Sequence, residues 1–262
     1  MKPLWKFWER FGSKLSCKKI LLFLDFDGTL VPIARDPESA KLSAASRQVL
    51  SRLSVSDRVR LCVISGRRVR TLKALLGIRN VSYVGNHGFE IEVPGLGLTA
   101  PAVSSAWIRK YLAPVAKRLK SQCRRFSGAR LENKRHTLSL HFRKVAAKDL
   151  GAFRKIYENI KKEFSALPLV WREGKKVFEI LPNVRWNKGS AALLVCDGFP
   201  DSFPVILGDD ATDEDMFKAL RMRGLTIRIG RSKKSYAKFY LPSQKEVLRF
   251  LICLRNLAAL SF

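Results

Sequence analysis

Five short stretches carry side chains that could do chemistry: Asp25-Phe26-Asp27-Gly28-Thr29, Ser65-Gly66-Arg67, Asn86-His87-Gly88, Lys188, and Gly208-Asp209-Asp210 with Asp213 close behind. Taken alone, Asp25 and Asp27 read equally well as the caps of a turn or as part of a site. Three or four carboxylates in one place repel one another unless a cation shares them. Hard oxygen ligands suit Mg²⁺, which takes one or two carboxylates, keeps waters and accepts a substrate phosphate. A lysine and a hydroxyl beside such a metal are the groups that hold the oxygens of a phosphoryl group. If the fold gathers these stretches, the chemistry is metal-assisted phosphoryl transfer.

The elements needed to gather them are legible. The apolar run Leu21-Leu22-Phe23-Leu24 stops at Asp25 and reads as a strand buried on both faces. A helix follows from Ser43 to Leu53, with Ser43 as its N-cap. Val59 to Ile64 is a second buried strand and ends at Ser65. Val69 to Leu76 is a helix closed by Gly77, and Val81 to Val84 is a third strand, ending at Asn86-His87. Alternating strands and helices predict a doubly wound parallel sheet with right-handed crossovers. Ligands of such sheets bind outside the carboxyl ends of the strands, where all these polar clusters fall.

The pattern then changes. Pro94 to Pro101 is a Gly- and Pro-rich linker. Helices over Ser104–Cys123 and Lys148–Phe164, with alternating strands over Ala129–Glu132, Thr137–Phe142, Leu169–Arg172 and Val177–Ile180, predict an α+β insert. The first pattern resumes with a helix over Asn187–Val195, a strand over Phe203–Leu207, a helix over Ala211–Leu220, a strand over Leu225–Ile229 and a closing helix over Val247–Leu260. The expected domains are an arm over 1–18, a core over 19–102 and 184–262, and the insert over 103–183.

Composition bounds the alternatives. A chain of 262 residues, 47% of them hydrophobic, is globular. Its five scattered cysteines form neither a disulfide framework nor a zinc motif and fit a reducing compartment, so a cytoplasmic location is expected. No stretch reaches the ~20 apolar residues that span a bilayer. The start, Met1 to Phe11, alternates aromatic and basic residues and lacks the apolar segment of a signal peptide. It either lies on an anionic membrane or packs on its own domain, and the second is the expected reading. Fifty Lys and Arg against twenty-two Asp and Glu give a net charge of +28, a field that draws anions. The basic residues are spread along the chain, which reads as a cationic solvated surface with no dedicated polymer partner.

The motifs carry a resemblance. Asp25-Phe26-Asp27-Gly28-Thr29-Leu30, Ser65, Lys188 and Gly208-Asp209-Asp210 resemble, in order, the four motifs of the haloacid dehalogenase (HAD) superfamily. That resemblance implies a HAD-like α/β core with an inserted cap. It makes Asp25 the nucleophile, Asp27 the general acid and base, and Ser65 and Lys188 the groups that hold the phosphoryl oxygens. Mg²⁺ would bind Asp25, the backbone carbonyl of Asp27, and Asp209, with Asp210 and Asp213 supporting the shell. Val63-Ile64-Ser65-Gly66-Arg67, Gly85-Asn86-His87-Gly88 and Gly208-Asp209-Asp210-Ala211-Thr212-Asp213-Glu214 are similar to the trehalose-6-phosphate phosphatases. So are Leu131-Glu132-Asn133-Lys134, Leu138-Ser139-Leu140-His141-Phe142-Arg143 and Gly174-Lys175-Lys176-Val177-Phe178-Glu179.

That family assigns Glu132, Lys134 and Glu179 to the sugar hydroxyls, and the contacts expected of Thr29, Gly66, Arg67, Asn86 and His87 are with the same substrate. Two positions depart from the family pattern: Leu181 precedes Pro182 where an arginine is expected, and Trp186-Asn187 replaces an acidic residue before Lys188. The activity implied is Mg²⁺-dependent hydrolysis of trehalose 6-phosphate by a monomer, with a trehalose-phosphate synthase left open as a partner and no nucleic-acid or membrane contact required. The rivals are another sugar phosphate, such as mannosyl-3-phosphoglycerate or sucrose 6-phosphate, and a basic binding protein that only keeps the fold.

Overall fold

The computed structural model describes residues 1–33, 39–100, 103–174 and 176–259. Pro101, Lys175 and Leu260, which the sequence places in the linker, a hairpin turn and the last helix, lie outside the described residues. The chain divides into two compact units: Met1–Ala100 with Trp186–Phe262, and Pro101–Arg185. In chain order the first stretch forms β1 (Lys2–Pro3), α1 (Trp8–Ser16), β2 (Lys19–Asp25), α2 (Ala44–Ser54), β3 (Val59–Ile64), α3 (Val69–Leu76), β4 (Val81–Gly85) and β5 (Glu90–Glu92). The second unit contains α4 (Ser105–Trp107), α5 (Ala113–Cys123), β6 (Arg130–Asn133), β7 (Leu138–His141), α6 (Leu150–Glu163), β8 (Leu169–Gly174) and β9 (Val177–Pro182). The return stretch adds α7 (Lys188–Asp197), β10 (Ser202–Gly208), α8 (Glu214–Leu220), β11 (Leu225–Ile229), β12 (Phe239–Leu241) and α9 (Lys245–Ala259).

The strands of the first unit form one sheet in the order β1-β12-β11-β10-β2-β3-β4-β5. It is parallel except for β5, which pairs antiparallel with β4. Strand β2 lies between β10 and β3, so the chain leaves it toward β3 on one side and returns to it through β10 on the other. This reversal is the switch point at which such sheets bind ligands. Side chains alternate across β2. Ile20, Leu22 and Leu24 pack in the core that includes Val49 and Leu53 of α2, Leu72 of α3 and Phe250 of α9. Leu21 and Phe23 pack with Ala191 and Val195 of α7 and Phe217 of α8. The two-residue period places Asp25 on the second of these faces, the one that α7 and α8 cover.

Local chemistry sets the helix ends. The Ser43 side chain accepts a hydrogen bond from the Ser46 amide and starts α2. The side chain of Asn187 accepts from the Ser190 amide and starts α7. Helix α8 begins at Glu214 rather than at Ala211 as the sequence suggests. The reason is local competition: the Asp210 carboxylate takes the amides of Thr212 and Asp213, and the Asp213 carboxylate takes those of Asp209 and Asp210. Side chains that bind nearby backbone groups hold this stretch in a turn. Close approach of α7 to α8 requires Gly189, since a Cβ there would lie 2.3 Å from the Asp215 carbonyl oxygen.

Residues 1–18 form part of the sheet and its cover. Strand β1 pairs in parallel with β12, and Leu4 and Leu15 are fully buried. Trp8 packs edge-on against Phe250, and Phe11 against Phe239. The Trp5 indole donates to Glu246 at 2.8 Å. All five cysteines are free thiols.

The second unit is a four-stranded antiparallel sheet, β6-β7-β9-β8, backed on one face by α5 and α6. Leu138, Leu140 and Phe142 pack there with Phe153, Tyr157 and Phe178, and the Phe178 ring stacks on Tyr157 at 3.7 Å. The helix expected over Ser104–Cys123 is interrupted by a π turn at Ile108–Leu112, where the Ala113 amide donates to the Ile108 carbonyl five residues back. Pro114 follows and has no amide hydrogen to donate, so the regular ladder cannot continue through it.

Because Leu4 fills the core beneath β12, Leu4→Ala is expected to lower the stability by about 2–5 kcal/mol. Urea denaturation measures this directly; an unchanged midpoint would mean that the first turn is dispensable to the core.

Candidate active site

At the carboxyl edge of the sheet, four strand ends and the start of α7 bring their polar residues together. Asp25 ends β2, Ser65 follows β3, Asn86 and His87 follow β4, and Asp209 follows β10. Lys188 is the first residue of α7, and Asp213 lies in the turn before α8. The Lys188 ammonium donates to Asp25 Oδ1 at 2.9 Å and to Asp213 Oδ1 at 2.8 Å. All three side chains are buried, with Lys188 only 3% exposed. A cation at a helix N-terminus opposes the helix dipole, so Lys188 depends on these two carboxylates.

The electrostatics follow from burial. Burial, followed by the neighbouring Asp213, pushes the Asp25 carboxyl well above its ordinary range, while Lys188 pulls it back. Burial also pushes Asp213 up to about 6, with Lys188 the largest opposing influence. For Lys188 burial favours the neutral amine, but Asp213 and Asp25 more than reverse this and hold it charged. Burial would raise Asp210 as well, yet Lys188 and the hydrogen bonds from Thr212 bring it below the usual value.

The turn after β2 is closed by backbone bonds from Gly28 to Val31 and from Val31 to Phe26. Gly28 has φ +94°, and a Cβ there would sit 2.3 Å from Asp209 Oδ2. Only glycine both adopts that conformation and admits the Asp209 carboxylate. The Thr29 hydroxyl, fully buried, points to Asp209 Oδ1 at 3.5 Å. Carboxylate oxygens of Asp25, Asp209 and Asp213 lie within 4.8 Å of one another, close enough to share a cation. Asp213 is the weakest ligand of the three: one oxygen takes Lys188 and the other takes two backbone amides. Asp25 and Asp209 are therefore the pair that fits a divalent metal, with Asp213 orienting Lys188 and the Asp209 loop.

Arg67 and Asp27 form a two-pronged ion pair, with Arg67 Nε and a terminal nitrogen each 2.6 Å from a carboxylate oxygen. The guanidinium also lies over the Phe26 ring. Ser65 Oγ accepts the Arg67 amide and is 2% exposed. The loop after β4 is strained: Asn86 and His87 both have positive φ, 52° and 59°. Such residues cluster at functional sites, where the surroundings over-determine them. Here Asn86 N donates to the Arg67 carbonyl and His87 N to that of Ser65. Gly66 leaves the space that the His87 ring occupies.

Two residues outside the predicted set also hold the site. Glu90, in the three-residue β5, accepts from the Val69 amide and the Asn86 side chain. The Trp186 indole donates to the Gly88 carbonyl at 2.8 Å, fastening the strained loop to the start of α7. The departure from the family pattern at Trp186-Asn187 thus has local uses, a tether and a helix cap.

The insert holds the remaining predicted residues. Glu132 lies on β6 and Glu179 on β9, while Lys134 is buried just beyond β6. His141 Nε2 lies 3.1 Å from Glu132 Oε2. Burial would raise the Glu132 carboxyl, but His141, Lys134 and Arg130 outweigh it and keep the group below its usual value.

A parallel sheet with carboxylates and a lysine at its switch point is the architecture of HAD-like hydrolases. A haloacid dehalogenase-like hydrolase from B. subtilis, 15% identical, shares the fold with a TM-score of 0.60 over 88% of this chain and 98% of that one. The sequence profile described as trehalose-phosphatase matches residues 23–245, and the chain belongs to that family. It is 35% identical to "Probable trehalose-phosphate phosphatase 4" of Oryza sativa subsp. japonica, over 93% of this chain and 68% of the relative. It is 33% identical to "Trehalose-phosphate phosphatase B" of Arabidopsis thaliana, over 89% of this chain and 66% of the relative. The chain therefore spans about two thirds of the length of these plant proteins. The C-terminal domain of C. albicans trehalose-6-phosphate phosphatase is 26% identical, with a TM-score of 0.79 covering 97% of each chain.

Removing the ammonium should leave two buried carboxylates facing each other. Lys188→Met is expected to cost about 3–5 kcal/mol of stability, read from the urea midpoint at neutral pH, with part of the loss restored by added Mg²⁺. Wild-type stability without metal would show that the carboxylates do not need Lys188.

Proposed function

We propose that the chain hydrolyses trehalose 6-phosphate to trehalose and phosphate with the help of Mg²⁺. The observation that carries the reading is the buried Lys188, bonded to both Asp25 and Asp213 beside Asp209 at the switch point. A carboxylate approaching a phosphate dianion meets charge repulsion, and a fixed ammonium offsets it without reorganisation at the moment of reaction. Asp25 is the nucleophile: a carboxylate oxygen bonds to phosphorus as the bond to the sugar oxygen breaks, leaving an aspartyl phosphate. Asp27 gives its proton to the departing oxygen and later takes one from the water that hydrolyses the intermediate. Because both Asp27 oxygens accept from Arg67, that pair must open before Asp27 can carry a proton.

Lys188 and the Ser65 hydroxyl hold the phosphoryl oxygens, while Thr29, Gly66, Arg67, Asn86 and His87 line the approach. Asp25, Asp209 and the Asp27 carbonyl would hold Mg²⁺, backed by Asp210 and Asp213. When bound, the ion supplies charge neutralisation at the phosphoryl group.

Glu132, Lys134 and Glu179 of the insert read the sugar. Carboxylates accept and an ammonium donates, so the three together satisfy hydroxyls that do both. The protein is proposed to work as a cytoplasmic monomer, with a trehalose-phosphate synthase as a candidate partner. Among the described residues no helix is long and apolar enough to cross a membrane.

A phosphate-release panel of sugar phosphates, with and without Mg²⁺, tests the reading. Turnover should be highest on trehalose 6-phosphate, cease with a chelator and return with Mg²⁺; preference for sucrose 6-phosphate or mannosyl-3-phosphoglycerate would reassign the substrate. Asp25→Asn should reduce release to background while leaving the thermal midpoint in place, and persistent turnover would refute its role as nucleophile. Glu132→Ala should impair trehalose 6-phosphate far more than p-nitrophenyl phosphate, and equal losses would remove the sugar-reading role from the insert.

A further inference from the structure

The antiparallel register of the insert aligns four polar residues across its sheet. Glu132 of β6 is directly opposite Ser139 of β7, Ser139 is opposite Glu179 of β9, and Glu179 is opposite Arg172 of β8. Paired residues in such a sheet project from the same face. The opposite face is the apolar one, where Leu138, Leu140, Phe178 and Ile180 meet α5 and α6. Ser139 therefore stands on the strand between those of Glu132 and Glu179, whose backbones lie roughly 9–10 Å apart, two strand spacings. It is 1% exposed, and its Oγ has no hydrogen-bond partner among the described residues. A buried hydroxyl without a partner is a cost to the fold, and nearly all such groups are satisfied. Alanine or valine would fill a strand interior at no such cost.

We infer that Ser139 is a further substrate-binding residue, whose hydroxyl donates to a sugar hydroxyl seated between Glu132 and Glu179. This rests on the proposal that the insert reads the sugar, and it names the centre of that subsite. A carboxylate can only accept, whereas a sugar hydroxyl both donates and accepts. A hydroxyl bonded to either glutamate thus has lone pairs left over, and Ser139 Oγ–H is the donor on the strand between the two glutamates. His141, 3.1 Å from Glu132, restrains one flank of the subsite. Arg172 stands opposite the other glutamate in the register.

The test is Ser139→Ala, assayed on trehalose 6-phosphate and on p-nitrophenyl phosphate, with urea denaturation in parallel. A sugar contact should raise KM for trehalose 6-phosphate about three- to ten-fold, the worth of one neutral hydrogen bond. The aryl phosphate, which has no sugar, should keep its kcat/KM, and the urea midpoint should stay level or rise because an orphaned group has gone. An unchanged KM for trehalose 6-phosphate, an equal loss on both substrates, or a lowered midpoint overturns the inference. Glu132→Ala separates the two levels: if it raises KM while Ser139→Ala does not, the subsite assignment fails and the sugar-reading role stands. If the wild-type protein does not turn over trehalose 6-phosphate, both fall together.

Discussion

One ammonium between two carboxylates organises the catalytic unit. Lys188 is buried at the start of a helix, a poor place for a cation, and Asp25 and Asp213 are buried where each alone would lose its charge. Together they are mutually compensating, and their geometry fixes three elements at once: the end of β2, the first turn of α7 and the turn before α8. Replacing such a cluster with apolar residues is often neutral or stabilising in other proteins. Its presence here is therefore better read as preparation for an anionic reactant than as a device for stability. The strained Asn86-His87 loop and the Gly28 turn carry a similar message, since both spend conformational energy to place polar groups at this edge.

The residues proposed to do chemistry and those proposed to choose a substrate are built on different principles. The proposed catalytic residues hang from strand ends of a buried parallel sheet, where small displacements are resisted from both faces. The residues proposed to read the sugar stand on one face of an antiparallel sheet whose other face is a stack of aromatic rings. A strand with one apolar and one polar face can exchange its polar residues without disturbing its core. The strongly positive chain suits both parts, because a field of that sign raises the encounter rate with a phosphorylated ligand. The same field makes the enzyme's apparent affinity sensitive to ionic strength.

Much of this was legible in the sequence, for reasons that differ by element. Strands β3 and β11 and helix α3 have the expected limits, since buried runs and a terminal Gly77 mark them locally. Ser43 was readable as a cap because a hydroxyl before a helical period has few other uses. The strands β1, β5 and β12 were not readable: two or three residues show no period, and only their pairing defines them. The late start of α8 escaped detection because propensity does not register a carboxylate that captures its own backbone. The π turn could have been suspected from Pro114 alone. Asp25, Lys188, Asp209 and Asp213 were found as a motif, and the structure brings them within bonding or ligating distance. Glu90 went unnoticed, and Ser139 and His141 were read only as part of a family-like stretch, because what stands across a strand decides their surroundings and register is not written in any one stretch.

The insertion of the second unit between β5 and α7 has a consequence for how the protein is made. Strand β2, apolar on both faces, leaves the ribosome early, whereas its neighbour β10 is encoded after the whole insert. At ~5–20 residues per second, roughly ten to forty seconds pass before that partner exists. During that interval one edge of a buried strand has nothing to pair with, and contacts of such long sequence separation are slow to form even afterwards. The insert thus lengthens the time for which the β2 edge must be kept from other chains, a demand on folding rather than on final stability.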